Sequence, residues 1–219
     1  MKPLYYLKKL IKNGHYWQYT DVLNNGKKPK MFFLPLQWII IAASILIAIF
    51  FIDDGFSNEF VGYTNAVLAI LTGLYLSVIV NLFAKFDKEK LIKKMSKQKL
   101  TVMQKNNLIA RKNYFIQFTS LTMYSILIAL FCLVMLSLSL LFESFDTRVS
   151  IDTLKENWQI VQYSCLLKLL VIIFYRIILL YFLINLVYLS SYIVSSVYSY
   201  IVGEYNEVKI GDIGDVDKE

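Results

Sequence analysis

The forty residues from Tyr163 to Val202 contain no Gly, no Pro and no acidic side chain, and only two cations, Lys168 and Arg176, interrupt them. Behind Arg176 come 27 uncharged residues, Ile177 to Gly203. That run exceeds the ~20 residues needed to cross a hydrocarbon core. A chain carrying it must satisfy its backbone within the segment, and a helix is the single-segment way to do so.

Three further apolar blocks obey the same logic. Spans are predicted at about 33–52, 60–84 and 114–142, with the fourth at 163–188 or 177–202. Hydrophobic residues make up 57% of the chain, against ~45–50% in a soluble domain, and the excess lies in these blocks. The first block is too long for a cleaved signal and is followed by Asp53 and Asp54 rather than a small-residue cleavage site, so it reads as a retained span.

Between Gly73 and Gly203 there is neither Gly nor Pro, so long continuous helices are expected. The predicted fold is all-α, a four-helix transmembrane bundle with helices extending into the cytoplasm. Residues 1–31 form an amphipathic, basic N-terminal segment, with Leu4, Leu7, Leu10 and Ile11 on one helical face beside Lys8, Lys9 and Lys12. Residues 32–203 form the membrane domain, including a basic loop at 85–113, and residues 204–219 an acidic tail. Span two is expected to run on as a helix into that loop, with a break near Lys105, Asn106 and Asn107. The tail, with six acids, two bases and two Gly, is expected to be mobile.

Lysine and arginine counts orient the chain. The first 30 residues carry seven Lys and residues 85–113 carry ten Lys/Arg, whereas 53–59 carry none and 143–157 carry two. Both termini and the basic loop are therefore expected in the cytoplasm.

Three groups of residues are candidates for function. Gly62, Ala66, Ala69, Gly73 and Ser77 recur at steps of three and four in span two. Small residues at that spacing let helix backbones approach closely in lipid, within the chain or between subunits. Tyr181, Asn185, Tyr188, Tyr192, Ser195 and Ser199 form a polar stripe along segment four, able to line a wet path or to pack against a neighbouring helix. Lys168 and Arg176 lie on roughly the opposite side. No span contains an acid, so Arg176 faces a wet pathway, takes polar partners such as Asn65, Thr72 or backbone carbonyls, or reaches the outer headgroups. Finally, Lys85, Lys88, Lys90, Lys93, Lys94, Lys97 and Lys99 are dense enough to meet anionic lipid at ~1 kcal/mol per cation, or an acidic protein partner. Nucleic acid is disfavoured, because no aromatic residues interleave after Phe86 to stack bases.

Several chemistries are absent. One histidine, His15, excludes an HExxH zinc site and clusters of several His ligands. Spans without Asp or Glu hold neither an aspartyl dyad nor a carboxylate proton relay. There is no P-loop and no dinucleotide fingerprint. The two cysteines, Cys132 and Cys165, fall in or beside apolar segments and read as small hydrophobes. No catalytic residue, metal ligand or cofactor is expected, and the chain does not read as an enzyme.

Four spans, a basic helical loop at 85–113 and no catalytic residues give an architecture that resembles small four-pass bacterial membrane proteins of anti-phage defence operons. These include SLATT-type effectors and the membrane accessory proteins found beside CRISPR or Kiwa-type systems. The resemblance implies a bacterial inner-membrane location and either an oligomeric pore or an anchored partner of a cytoplasmic protein. It carries over no functional residue. The expected function is thus a homo-oligomeric channel or pore. A membrane anchor that recruits a partner through the basic loop is the alternative, and a small-solute transporter is disfavoured for want of internal repeats or Gly/Pro-broken helices.

Overall fold

A computed structural model describes residues 3–20, 22, 33–50, 52, 56–85, 102–141 and 163–216. They form five helices: α1 (Pro3–Trp17), α2 (Pro35–Phe50), α3 (Asn58–Lys85), α4 (Val102–Leu141) and α5 (Tyr163–Val216). The described residues are otherwise turns and connections, with no strand.

Among the described residues three helices, not the four expected, are long and apolar enough to cross a membrane, through Asn58–Asn81, Lys112–Leu138 and Leu170–Ser199. The correction falls on α2, which has 16 residues. At ~1.5 Å per residue it is about 24 Å long, short of a ~30 Å hydrocarbon core. Pro35 opens it, and a proline pushes the preceding residue out of helical geometry, so Phe33 and Leu34 are apolar without being helical.

The other helices run longer than expected. α4 passes through Lys105, Asn106 and Asn107 unbroken, and α5 continues through Gly203 and the acidic tail to Val216, 54 residues in all. The expected break is absent from the helical backbone of α4, and the described part of the tail, 204–216, is helical. A glycine in a helix interior costs ~1 kcal/mol, but a helix already nucleated gains one hydrogen bond for each residue it adds. The apolar segment of α5, Leu170–Ser199, lies between the two placements that the sequence left open.

The chain forms two compact units. One comprises Met1–Lys30, Leu76–Ser125 and Leu189–Glu219, the other Met31–Tyr75 and Ile126–Tyr188. In the second unit α4 and α5 run antiparallel. The rings of Phe131 and Phe182 meet edge to face at 5.1 Å, and the Tyr175 hydroxyl donates to the Met135 carbonyl at 2.8 Å. There α2 buries Gln37, Ile40, Ser44 and Ala48, and α3 buries Val61, Leu68 and Tyr75.

In the first unit α1 runs antiparallel to α4. Asn113 Nδ2 donates to the Val22 carbonyl at 3.3 Å and Gln117 Nε2 to the Trp17 carbonyl at 2.9 Å. Gly14 lies against Tyr124 so closely that a Cβ there would collide with Cβ and Cγ of the tyrosine. Glycine is therefore required at this crossing of two helices.

The distribution of polarity is inverted relative to a water-soluble protein. Trp38, Ile39, Phe50, Tyr63, Ile70, Phe174 and Val187 are exposed, while Gln37, Ser44, Thr122, Ser125, Arg176 and Asn185 are buried. Large apolar side chains on the outside of helix after helix, with polar groups inside, fit lipid as the solvent.

Candidate functional site

The buried faces of α4 and α5 repeat every three and four residues. On α4 the sequence is Phe115, Phe118, Thr122, Ser125, Ala129, Cys132 and Leu136. On α5 it is Ile172, Tyr175 and Leu179, then Leu186, Leu189, Ile193 and Ser196. This is the spacing of helices packed knobs into holes. The middle of the α4 seam is small, which brings backbones close, and its polar members bond within their own helix: Thr122 Oγ1 donates to the Phe118 carbonyl at 2.8 Å.

The polar stripe of α5 lies one residue before this seam at each turn, about 100° around the helix. Asn185 is buried, Tyr181, Tyr188, Tyr192 and Ser199 are half-buried, and Ser195 is exposed. The stripe thus flanks the packed seam and does not coincide with it. Asn185 is 1% exposed, and its Oδ1 has no hydrogen-bond partner among the described residues.

Arg176 sits on the other flank of the seam and is fully buried. Its Nη1 donates to the Ile52 carbonyl at 2.8 Å, just beyond the C-terminus of α2. The last carbonyls of a helix lack intrahelical donors and carry partial negative charge, so a guanidinium there satisfies both hydrogen bonding and the dipole. Of the partners considered for this cation, the structure supplies a backbone carbonyl. The residue comes six positions after Leu170, the start of the apolar segment.

A second polar node was not anticipated from the sequence. Gln117 ties three elements of the first unit together: Nε2 donates to the Trp17 carbonyl, and Oε1 accepts from Ser196 Oγ at 3.0 Å. His15 on α1, and Gln18 and Thr20 just after it, are also buried. The Tyr16 and Tyr19 rings meet that of His15 in T-shaped contacts, with centroids 6.0 and 5.7 Å apart. A lone polar residue within an apolar helix is the available signal for Gln117, as it is for Gln37 and Ser44 on α2. Ser196 is masked by its neighbour Ser195, which the periodic pattern selects instead.

The small-residue face of α3 has a different environment. Gly62, Ala66, Ala69, Gly73 and Ser77 are all exposed, and a Cβ built at Gly62 or Gly73 meets nothing within 4 Å. The buried residues of α3 are Val61, Leu68, Tyr75 and Ile79, one step round the helix. The side chains of Lys168 and of Lys85, Lys88, Lys90, Lys93, Lys94, Lys97 and Lys99 lie outside the described residues, as does that of Cys165. Among the described residues no three His, Cys, Asp or Glu side chains come together as a metal site would require. Cys132 is a buried free thiol. No protein-family model, curated protein or solved structure matches this chain.

Proposed function

We propose that this chain is a four-crossing membrane protein, of the bacterial inner membrane, that self-associates through the small-residue face of α3 and works as a channel or pore, in the setting of a bacterial defence effector. The observation that carries the reading is the open face from Gly62 to Ser77. Between helices in lipid, close packing supplies the attraction that water supplies elsewhere. A face of Gly, Ala and Ser that is open among the described residues is one onto which a helix of another chain fits. The half-buried stripe of α5 supplies polar groups for a conducting path.

The fourth crossing is α2. Residues before Met31 and α3 beyond Leu76 belong to one compact unit, and α3 carries one apolar segment between Asn58 and Asn81. If α3 crosses once, α2 has to cross in the opposite direction for the chain to return. The lysine-rich stretches before α2 and after α3 then share a side, in agreement with the charge rule. A 16-residue helix is accommodated by local thinning of the bilayer at fractions of a kcal/mol per Å. Cysteines introduced at Lys12 and Ser57 test this with an impermeant thiol reagent. Labelling from opposite sides of sealed vesicles is expected, and labelling from the same side removes α2 from the membrane crossings.

The function is tested by ion flux in liposomes with the parent chain, Gly73→Leu and Asn185→Ala. Gly73→Leu is expected to abolish both oligomer and flux, and Asn185→Ala to alter conductance in an intact oligomer. A monodisperse monomer in several mild detergents and in nanodiscs would refute the reading. The anchor alternative rests on the density of lysine from 85 to 99. Reversing Lys93, Lys94 and Lys97 to Glu should then abolish co-purification of a cytoplasmic protein.

A further inference from the structure

The second half of α5 carries an exposed seam. Ser191, Val194, Tyr198 and Ile201 recur at steps of three and four and so share one face of the helix. All four are exposed, Val194 at 68%, Tyr198 at 69% and Ile201 at 53%. The buried residues of the same turns are Leu189, Ile193 and Ser196. They lie about 150° away around a helix of ~3.6 residues per turn. Outward apolar side chains are ordinary where lipid is the solvent, but the apolar segment of α5 ends at Ser199. The helix continues to Val216, 17 residues past Ser199, or about 25 Å further. Within 203–209 the large apolar residues are Tyr205 and Val208, and the helical register carries the seam onto both. The alternation of three and four is then unbroken from Ser191 to Val208, which is the heptad of helices that pack on one another. A surface made only for lipid has no reason to keep that period beyond the lipid.

The positions beside the seam identify what covers it. Ser191, Tyr198 and Tyr205 take the a positions of the heptad, and Val194, Ile201 and Val208 the d positions. In a parallel pair of helices, the residue before each a position lies opposite the residue five positions further on in the other chain. Across two copies of α5 that rule sets Ser190 against Ser195, Val197 against Val202, and Glu204 against Lys209. Small meets small and apolar meets apolar along the apolar part, and opposite charges meet beyond it. An antiparallel pair would separate Glu204 from Lys209. Two copies inserted in the membrane in the same sense present α5 in parallel.

We propose that residues 191–208 of α5 form a parallel coiled coil with the same face of a second copy of this chain, held in register by ion pairs between Glu204 of one copy and Lys209 of the other. Val194 and Ile201 meet their counterparts near the membrane, and the charges fix partner and orientation where the helix leaves it. The proposal rests on the reading that the chain self-associates, and adds to the α3 face a second contact that is tested separately.

Single cysteines placed in turn from 191 to 208 test it, by oxidation of the full chain in liposomes with Cys132→Ala and Cys165→Ala as background. A disulfide needs Cα atoms within about 7 Å of each other. Dimer crosslinks are therefore expected at 191, 194, 198, 201, 205 and 208, and their loss at 192, 199, 203 and 206. Crosslinks without that period, or none at all, overturn the proposal. Gly73→Cys and Ser77→Cys report on the α3 face in the same assay. Crosslinks there with none on α5 overturn the coiled coil and leave self-association standing. The α5 pattern with no crosslink at 73 or 77 upholds the coiled coil and removes the α3 contact. Energy transfer between labelled copies, with both native cysteines retained, then reads the ion pairs. Lys209→Glu is expected to weaken association by about 2- to 30-fold, from two exposed pairs per dimer, and adding Glu204→Lys to restore the parent value. Equal association of parent, single and double variants overturns the proposal, and this comparison decides the matter should the cysteine-free background fail to fold.

Discussion

The node at Gln117 permits a quantitative test of the first unit. Replacing Gln117 with Leu removes two hydrogen bonds, to Trp17 O at 2.9 Å and from Ser196 Oγ at 3.0 Å. Both side chains are buried, at 6% and 3% exposure. The Trp17 carbonyl belongs to the last turn of α1 and has no intrahelical donor. Each neutral bond contributes about 1 kcal/mol, and a buried group left unsatisfied costs about 1–3 kcal/mol. Gln117→Leu should therefore destabilise by about 2–4 kcal/mol. Ser196→Ala removes one bond and leaves one amide lone pair unmatched, for about 1–2 kcal/mol.

The double variant separates the direct bond from collateral repacking. Once Gln117 is Leu, the Ser196 hydroxyl has lost its acceptor, and deleting it should cost little or even help. A coupling of about 0.6–1.5 kcal/mol is expected, at or above the ~0.6 kcal/mol average for interhelical hydrogen bonds in a membrane protein. Thermal unfolding of all four proteins in one detergent, followed by tryptophan fluorescence, provides the measurement. At ~2–4 °C per kcal/mol for a chain of this size, Gln117→Leu should lower Tm by about 4–16 °C. Additivity of the two single substitutions within ~0.3 kcal/mol would show that Gln117 and Ser196 do not act as a pair.

Gly14→Ala should destabilise by about 1–3 kcal/mol through collision with Tyr124, whereas Gly62→Ala should stabilise the monomer by about 0.4–1 kcal/mol; equal effects in thermal unfolding would contradict the two environments. Arg176→Met should change stability by about 1 kcal/mol or less, because the charged hydrogen bond it loses (~1.5–3 kcal/mol) is offset by the burial cost it relieves (~2.5–3.5 kcal/mol). Arg176→Ala, which also opens a cavity, should lower stability by about 2–5 kcal/mol, and a Met variant as unstable as the Ala variant would refute the offset. Ser125 is fully buried with no partner for its hydroxyl among the described residues, so Ser125→Ala should be neutral or stabilising by up to ~1 kcal/mol; a loss above ~1 kcal/mol would reveal a bond to that hydroxyl.

Much of the helical content was legible because its signal is local. Apolar runs within the Gly- and Pro-free stretch from 74 to 202 can satisfy their backbone within themselves, and α4 and the core of α5 follow from them. The helix limits were less legible. Pro35 shortens α2 through a steric effect on its neighbour, and α5 outruns its apolar stretch because helix propagation is nearly indifferent to whether the next residue is Glu204 or Leu. The candidate sites divide in the same way. The small members of the α4 seam could be read from periodicity and are buried at Thr122, Ser125, Ala129 and Cys132. The partnership of Gln117 with Trp17 and Ser196 joins residues 100 and 79 positions apart, and no pattern within one helix encodes it. The polar stripe of α5 was placed one residue off the packed seam because its tyrosines and serines mark the boundary between packed and open surface, where half-buried polar side chains are most easily accommodated.

The faces on α3 and α4 make one further point about what a membrane sequence leaves undecided. Both present small residues at steps of three and four, and their sequence signals are equivalent. In the fold, Thr122, Ser125, Ala129 and Cys132 are fully buried, while Gly62, Ala66, Ala69, Gly73 and Ser77 stay open. In water, burial of large apolar side chains would have distinguished the two faces. In lipid, a leucine outside a bundle gains nothing by moving inward, so the choice passes to geometry: which face meets a seam of matching period. α4 has such a seam in α5, which repeats every three and four residues through Tyr175, Leu179, Leu186, Leu189 and Ile193. α3 instead buries Val61, Leu68, Tyr75 and Ile79 and turns its small face outward. Gly73 is therefore a more informative position for testing assembly than any residue of the α4 seam. A Cβ there meets nothing within 4 Å among the described residues, so a loss of assembly on bulky substitution points to a contact with another chain.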